Sequence, residues 1–314
     1  MTTSNSVDFT LDAEGIISEA FKKLGIRAAE TPLQSFEIQD GLLDLNLMLK
    51  SFQSQGLHLW TEEEGILFLD VGKENYLLGP SGDEATTLDD FIGTTTDNNE
   101  IALATVIEVS DTTGMAALDN VGIQQDDKTR HWTTIVSIVA NVSITITTGL
   151  VSASKAGSAV FTFTNLIDRP LRISSSRRKT FGSDNEIPVI SWSRNEYFNQ
   201  VNKASQGTVV NAYYSPLLTN GRYYVWQTAS SVNDFVRFSF ERPIEDIDLT
   251  TETLDIPVEW LETVIYNLAA RLSDTYDSPP QKLQIVLTKA AGFLQQLTGW
   301  DEELESVNVQ PDFS

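Results

Sequence analysis

Apolar residues recur at a helical period at both ends of this chain and at a strand period through its long middle. That double change of period is the strongest constraint on the fold. Near the start, Ile16, Ile17, Ala20, Phe21 and Leu24 share one face of a helix over residues 11–24. Asp12 and Glu14 sit at its positive end, Lys22 and Lys23 at its negative end, and Gly25 is placed to stop it. A second helix is expected from Thr31 as N-cap, with Pro32 in the first position, to Gly56. Ile38, Leu42, Leu45, Leu49 and Phe52 form its main stripe. Leu43 and Leu47 add a second stripe, which predicts packing on more than one neighbour. At the far end, Asp255-Ile256-Pro257 opens a helix carrying Leu261, Val264, Ile265, Leu268 and Leu272. Ser278-Pro279-Pro280 breaks it and opens another carrying Leu283, Leu287, Ala290, Leu294 and Leu297, with Gly299 as its stop.

Between these ends the pattern is that of strands. Residues 64–71 and 76–78 read as a hairpin about Lys73-Glu74-Asn75. Residues 81–165 are rich in Thr, Ser, Val and Ile, with strands expected at 101–109, 132–140, 142–147 and 159–164. That spacing predicts an inserted small antiparallel β sandwich or barrel. Further strands are expected at 169–173, 187–192, 211–214, 223–226 and 235–240, with Asn220-Gly221 as a turn signal. The fold class is therefore α+β: an antiparallel helical bundle from the N- and C-terminal helices, with a β-rich middle. The domain division read from the chain is 1–80 (helices and hairpin), 81–165 (inserted β-domain), 166–299 (sheet and C-terminal helices) and 300–314 (an extended tail).

The net charge is -23, from 21 Lys plus Arg against 44 Asp plus Glu. Such a chain is poorly suited to gripping nucleic acid, whose phosphates are held by Lys and Arg, although it can surround DNA without holding it. It has no cysteine and only two histidines, His58 and His131. Thiol chemistry and Cys-ligated metals are excluded, and His-based sites have little material. No Gly-rich phosphate loop, nucleophile elbow or zinc-binding His motif occurs. The paired carboxylates lack the spacing of a calcium loop. No catalytic residue, metal or cofactor is expected. No stretch is apolar enough to span a membrane, and Met1–Thr10 do not read as a secretory signal.

One basic cluster stands out: Arg169, Arg172, Arg177, Arg178 and Lys179. Two readings remain for it, a solvated loop with local salt bridges or an electrostatic contact with an acidic neighbour such as a second copy of the chain. Residues 300–314 hold five acidic residues and no basic one, and read as a tail.

The terminal segments carry a resemblance. It lies in Glu14-Gly15-Ile16-Ile17-Ser18-Glu19-Ala20-Phe21-Lys22-Lys23-Leu24-Gly25-Ile26, in Gly41-Leu42-Leu43-Asp44-Leu45-Asn46-Leu47-Met48-Leu49-Lys50-Ser51-Phe52, and in Gly56-Leu57-His58-Leu59-Trp60. It continues in Arg242-Pro243-Ile244-Glu245-Asp246, Asp255-Ile256-Pro257-Val258-Glu259-Trp260, Leu268-Ala269-Ala270-Arg271-Leu272 and Val307-Asn308-Val309-Gln310-Pro311. In order and spacing these resemble the head-to-tail adaptors of short-tailed bacteriophages, also called tail accessory factors or packaged-DNA stabilisation proteins. The resemblance covers residues 11–80 and 165–310; the inserted β-rich region departs from it. It implies a ring of twelve copies beneath the portal protein of a virion, assembled in the host cytoplasm. Such a ring extends the DNA channel, retains packaged DNA and carries a downstream nozzle or fibre protein. Double-stranded DNA would pass through without sequence-specific binding. The resemblance also implies a portal-docking tail, here anchored by Trp300, Val307, Val309 and Phe313. Two other readings are a glycan- or receptor-binding tail protein with the insert as its binding module, and a cell-wall glycosidase using a carboxylate pair.

Overall fold

The computed structural model describes residues 9–26, 31–55 and 59–300. The fold is mixed α+β with strands predominating, and it divides into two compact units. One is built from the two ends of the chain, up to Thr61 and from Ile244 onward; the other is Glu62–Pro243.

The first unit is helical. Helix α1 (Ala13–Leu24) begins where the Asp12 carboxylate accepts the Gly15 N–H at 2.8 Å, and ends on Gly25 at φ +75°. The N–H groups of Ala13 and Glu14 would be orphans at a helix start. They donate instead to the carbonyls of Glu252 and Thr250. Helix α2 (Ser35–Ser54) starts later than Thr31 and Pro32 suggest. The Glu37 carboxylate accepts the Gln34 N–H at 2.7 Å, and this charge-assisted bond sets the cap at Gln34. Helices α4 (Leu261–Leu272) and α5 (Pro280–Trp300) complete the unit. A single core joins Ile16, Ile17, Phe21 and Leu24 of α1 with Leu45, Met48 and Phe52 of α2 and Val264, Leu268 and Leu272 of α4. Among the described residues helix α5 adds Val286 and Ala290 as buried residues, with Phe293, Leu294 and Leu297 packed partly against the core; Leu287, expected in its stripe, is 48% exposed. Gly299 does not end α5, since a helical glycine costs only about 1 kcal/mol and the helix continues to Trp300. The second stripe of α2 finds no cover among the described residues: Leu43 and Leu47 are 61% and 53% exposed.

The second unit is built of sheets. Strands β11 (Glu186–Pro188), β10 (Arg172–Thr180), β17 (Asp234–Glu241), β1 (Glu62–Phe68) and β3 (Ala85–Thr87) lie in that order in an antiparallel five-stranded sheet. Strands β12 (Ile190–Ser191), β14 (Asn211–Ser215), β15 (Gly221–Trp226) and β2 (Asn75–Leu78) form a second sheet. Leu67, Phe238 and Phe240 of the first meet Tyr76, Tyr223 and Val225 of the second in one core. Helix α3 (Arg194–Asn199) sets Tyr197 against Tyr224 of the second sheet, ring centroids 4.8 Å apart. A short parallel pair, β13 (Gln206–Gly207) with β16 (Thr228–Ala229), lies beside it in sequence.

Residues 76–78 do not fold back on β1 as a hairpin. Both edges of β1 are occupied, by β17 and β3, so the chain crosses to the other sheet and Tyr76 pairs with Tyr223. The Asp83 carboxylate holds this crossing, accepting from Leu77 N at 2.6 Å and Lys73 Nζ at 2.7 Å.

A third sheet runs β4 (Ile92–Thr95), β9 (Ala159–Phe163), β6 (Asn120–Gln124), β7 (Arg130–Val139), β8 (Ser143–Ile146) and β5 (Val106–Glu108), each pair antiparallel. Its edges are tied together where Ser110 N donates to Thr95 O at 3.0 Å and Asp97 N to Glu108 O at 2.9 Å. Ile107, Val121, Ile123, Ile135, Ile144 and Val160 fill the space it encloses. The strand expected over 101–109 shrinks to β5, because Leu103 takes φ +69° and turns the chain.

Alternation on β9 decides how this sheet attaches. Val160 points into the enclosed core, whereas Phe161 and Phe163 point out, against Phe68 of β1 and Phe235 of β17. Phe161 is flanked on both neighbouring strands by glycine, Gly93 and Gly122. A Cβ on Gly93 would come within 2.7 Å of the Phe181 ring, and one on Gly122 within 2.6 Å of Trp132. The two glycines leave the room those rings fill.

Candidate functional site

Three regions of the molecule gather the residues singled out above: a charged strand, a seam in the helical unit, and an aromatic joint between two sheets. The basic run Ser174–Lys179 is not a loop but the middle of β10, where alternation sends neighbouring charges to opposite faces. Arg177 stands opposite Arg237 of β17. Both guanidiniums are met by Glu64 of β1 and Glu186 of β11: Arg177 lies 2.8 Å from Glu64 and 3.5 Å from Glu186, and Arg237 lies 3.1 Å from Glu186 and also bonds Glu64. Partial burial pushes the Glu64 carboxyl up, but its bonds to Arg237 and Arg177 outweigh that and hold it below the ordinary glutamate value. On the other face Arg178 lies 3.5 Å from Asp234, and at the strand's start Arg172 lies 2.9 Å from Glu241. Arg169, Arg172, Arg177, Arg178 and Lys179 are thus spread along one strand and its approach, and Arg172, Arg177 and Arg178 are each paired within their own sheet. The carboxylates that pair them come from segments far apart in sequence, so no local spacing announces them.

The helical unit brings N-terminal and C-terminal motif residues together. The Asn46 side-chain amide donates to Ile247 O at 2.9 Å, and its oxygen accepts from Ile247 N at 3.0 Å. One turn on, Lys50 bonds the Ile244 carbonyl and lies 2.7 Å from Asp246. Trp60 donates its indole N–H to Asp255 O at 3.1 Å and packs edge-on against Trp260, centroids 4.5 Å apart. An amide that answers both backbone groups of one residue fixes register as a strand partner would.

At the joint of the five- and six-stranded sheets, Arg130 of β7 is buried among Phe68, Trp132 and Phe161, with its guanidinium carbon 5.0–5.5 Å from the ring centroids. It bonds the Val232 carbonyl, while Nε and Nη1 find no partner. Burial pushes this guanidinium down to about 10. Burial, together with the nearby charges of Asp70 and Asp83, pushes Glu84 up. The sequence marks Arg130 only as a cation ahead of a strand. Away from the joint, the loops of the six-stranded sheet carry Ile101, Leu103, Leu118 and Val151, 73–81% exposed. Leu103 and Leu118 also hold positive φ, an unfavourable state for a bulky side chain that no burial offsets.

Trp300 is the last residue of α5; Val307, Val309 and Phe313 lie outside the described residues, as does His58. His131 bonds Thr148 O at 3.0 Å on the surface of β7. Among the described residues no cluster of three potential metal-ligating side chains occurs, and no helix is long and apolar enough to cross a membrane. Neither a protein-family model nor a curated protein matches the chain.

Proposed function

We propose that this chain is a structural connector of a bacteriophage virion: a ring-forming head-to-tail adaptor beneath the portal that extends the DNA channel and retains the packaged genome. The observation that carries the reading is the seam of the helical unit. The N-terminal segment holding Asn46, Lys50 and Trp60 resembles the adaptors, and so do the C-terminal segments 242–246 and 255–260. Side chains of the first bond or pack directly on backbone and rings that lie in or between the second. Segments that resemble one family and also complete one another are better explained by shared architecture than by chance likeness. In this reading α1, α2, α4 and α5 form the antiparallel bundle of a ring body, and the six-stranded sheet is an inserted barrel.

The chemistry agrees with a conduit rather than a catalyst. A net charge of -23 repels phosphate, so DNA can slide past without sticking. The exposed aliphatic tips Leu103 and Leu118 suit a protein neighbour, such as a nozzle or fibre, better than a sugar, which calls for aromatic stacking and hydrogen-bond donors. The acidic tail from Trp300, with Val307, Val309 and Phe313 as anchors, docks on the portal. The test is light scattering on purified protein with and without its cognate portal ring, comparing the full chain with one ended at Gly299. A ring-sized complex that needs the portal and is lost on truncation is the expected result. A monomer indifferent to the portal overturns the reading.

A further inference from the structure

The two sheets that share Leu67, Phe238 and Tyr223 in one core each lack a strand at the same place. Strand β11 pairs with β10 only at Arg177, Arg178 and Lys179, and β12 pairs with β14 only at Asn211 and Ala212. Among the described residues no strand flanks residues 172–175 or 213–215 on that side. The chain crosses there from one sheet to the other, with Val189 N donating to Ser176 O at 2.8 Å and Ile190 N to Val210 O at 2.9 Å. Beside the crossing, between the two open strand edges, lies a cavity of about 430 Å³.

Its inner wall is apolar, made by Ile173, Val189, Ala212 and the ring of Tyr214. Tyr223 lies in that wall at 1% exposure, and its hydroxyl closes no hydrogen bond. A hydroxyl buried in this way costs stability until something answers it. The Ser176 hydroxyl stands beside it; burial pushes the Tyr223 phenol up and outweighs the opposing pull of Ser176. Other hydroxyls of the wall are engaged elsewhere: Ser174 with Glu62, Ser175 with Ser239, and Tyr214 with the Pro170 carbonyl. Arg177 is the one charged residue of the wall, and Glu64 and Glu186 meet it.

The cavity thus offers an apolar surface, a pair of neighbouring hydroxyls, an open strand edge and no free charge. A hydroxyl both donates and accepts, and an open edge presents N–H and C=O groups together. The ligand that answers such a set is uncharged, carries adjacent groups that also donate and accept, and has a C–H face for an aromatic ring. We propose that this cavity binds a neutral sugar ring of hexose size, with adjacent sugar hydroxyls on Tyr223 and Ser176 and the C–H face of the ring on Tyr214. The site lies outside the six-stranded sheet and does not depend on the connector reading.

Saturation-transfer NMR on the full chain tests this with glucose, galactose, mannose and N-acetylglucosamine at millimolar concentration. At least one should receive transfer to its ring protons, and glucuronate, which is charged, should receive less. Tyr223→Phe removes only the unpaired hydroxyl, so Tm should hold or rise while affinity for that sugar falls about tenfold. Ser191→Tyr changes an exposed residue at the rim, and should close the cavity and abolish transfer at an unchanged Tm. The methyl glycoside of the same sugar identifies the source: equal binding means that the cavity takes the terminal residue of a glycan, and lost binding that it takes the free sugar. Transfer to none of the neutral sugars, transfer that survives both substitutions, or a stronger signal from glucuronate overturns the proposal.

Discussion

Arg177 and Arg237 stand directly opposite each other on neighbouring antiparallel strands, two like charges in register on one face of a sheet. Like charges so placed destabilise a sheet unless something comes between them. Here Glu64 and Glu186 do so from the strands on either side.

Glu64→Gln therefore removes one of the two carboxylates bridging the pair. The expected cost is about 1–2 kcal/mol, held down by the partial exposure of the network, and urea unfolding measures it. The folded value of Glu64 lies below the ordinary 4.5, so its contribution is present above that value and lost as pH falls through the lowered one. The gap between parent and variant should close in acid.

Glu84 titrates with the opposite sign. Its folded value stands above 4.5, so folding is favoured where the group is protonated, and stability falls as pH rises from the ordinary value through the raised one. Glu84→Gln should raise Tm at pH 7 and flatten the loss of stability between mildly acidic and neutral pH. A Tm unchanged or lowered at neutral pH contradicts this account.

Arg130 keeps a charge in a box of rings with two of its nitrogens, Nε and Nη1, unpaired. An apolar side chain of similar length loses little there, because the burial penalty goes with the charge. Arg130→Met should stay within about 1 kcal/mol of the parent, while Arg130→Ala leaves a hole and costs about 2–4 kcal/mol. Chemical denaturation of the two variants side by side gives the comparison.

Gly122 and Gly93 leave room for aromatic rings at the joint of two sheets. Gly122→Ala and Gly93→Ala should each cost about 1–3 kcal/mol through overpacking. Gly292→Ala is the control: it adds the same methyl group in open space inside a helix, and should stabilise by about 0.5–1 kcal/mol. Thermal melts of the three variants decide whether the rings or the backbone set the effect.

Helix faces were legible in the sequence wherever one partner surface buried them. The stripes of α1 and α4 are buried residue for residue, because period alone fixes which side chains share a face. The stripe of α5 is covered in part: Ala290 is buried and Leu294 and Leu297 pack against the core, but Leu287 is exposed, because periodicity does not say how far a neighbour reaches. The sequence does not announce strands β4 and β6, since Ile92–Thr95 and Asn120–Gln124 carry glycines where the pattern calls for large residues. Those glycines exist to admit rings from elsewhere, which is tertiary information. The misplaced hairpin at Tyr76 has the same origin: which strand occupies an edge of β1 depends on β17, far along the chain. The basic cluster was visible as composition, but Glu64, Glu186 and Asp234, which answer it, were not.

The register that pairs Glu62 with Glu241 has an evolutionary consequence. The chain enters and leaves the β unit through partnered strands, so the two crossing points lie only about 5 Å apart. An element whose ends are neighbours can be lengthened, shortened or exchanged for another without re-routing the polypeptide that carries it. Selection can thus act on what the β unit touches while the helices on either side of it in the sequence keep their own packing, and one framework can be refitted for different neighbours.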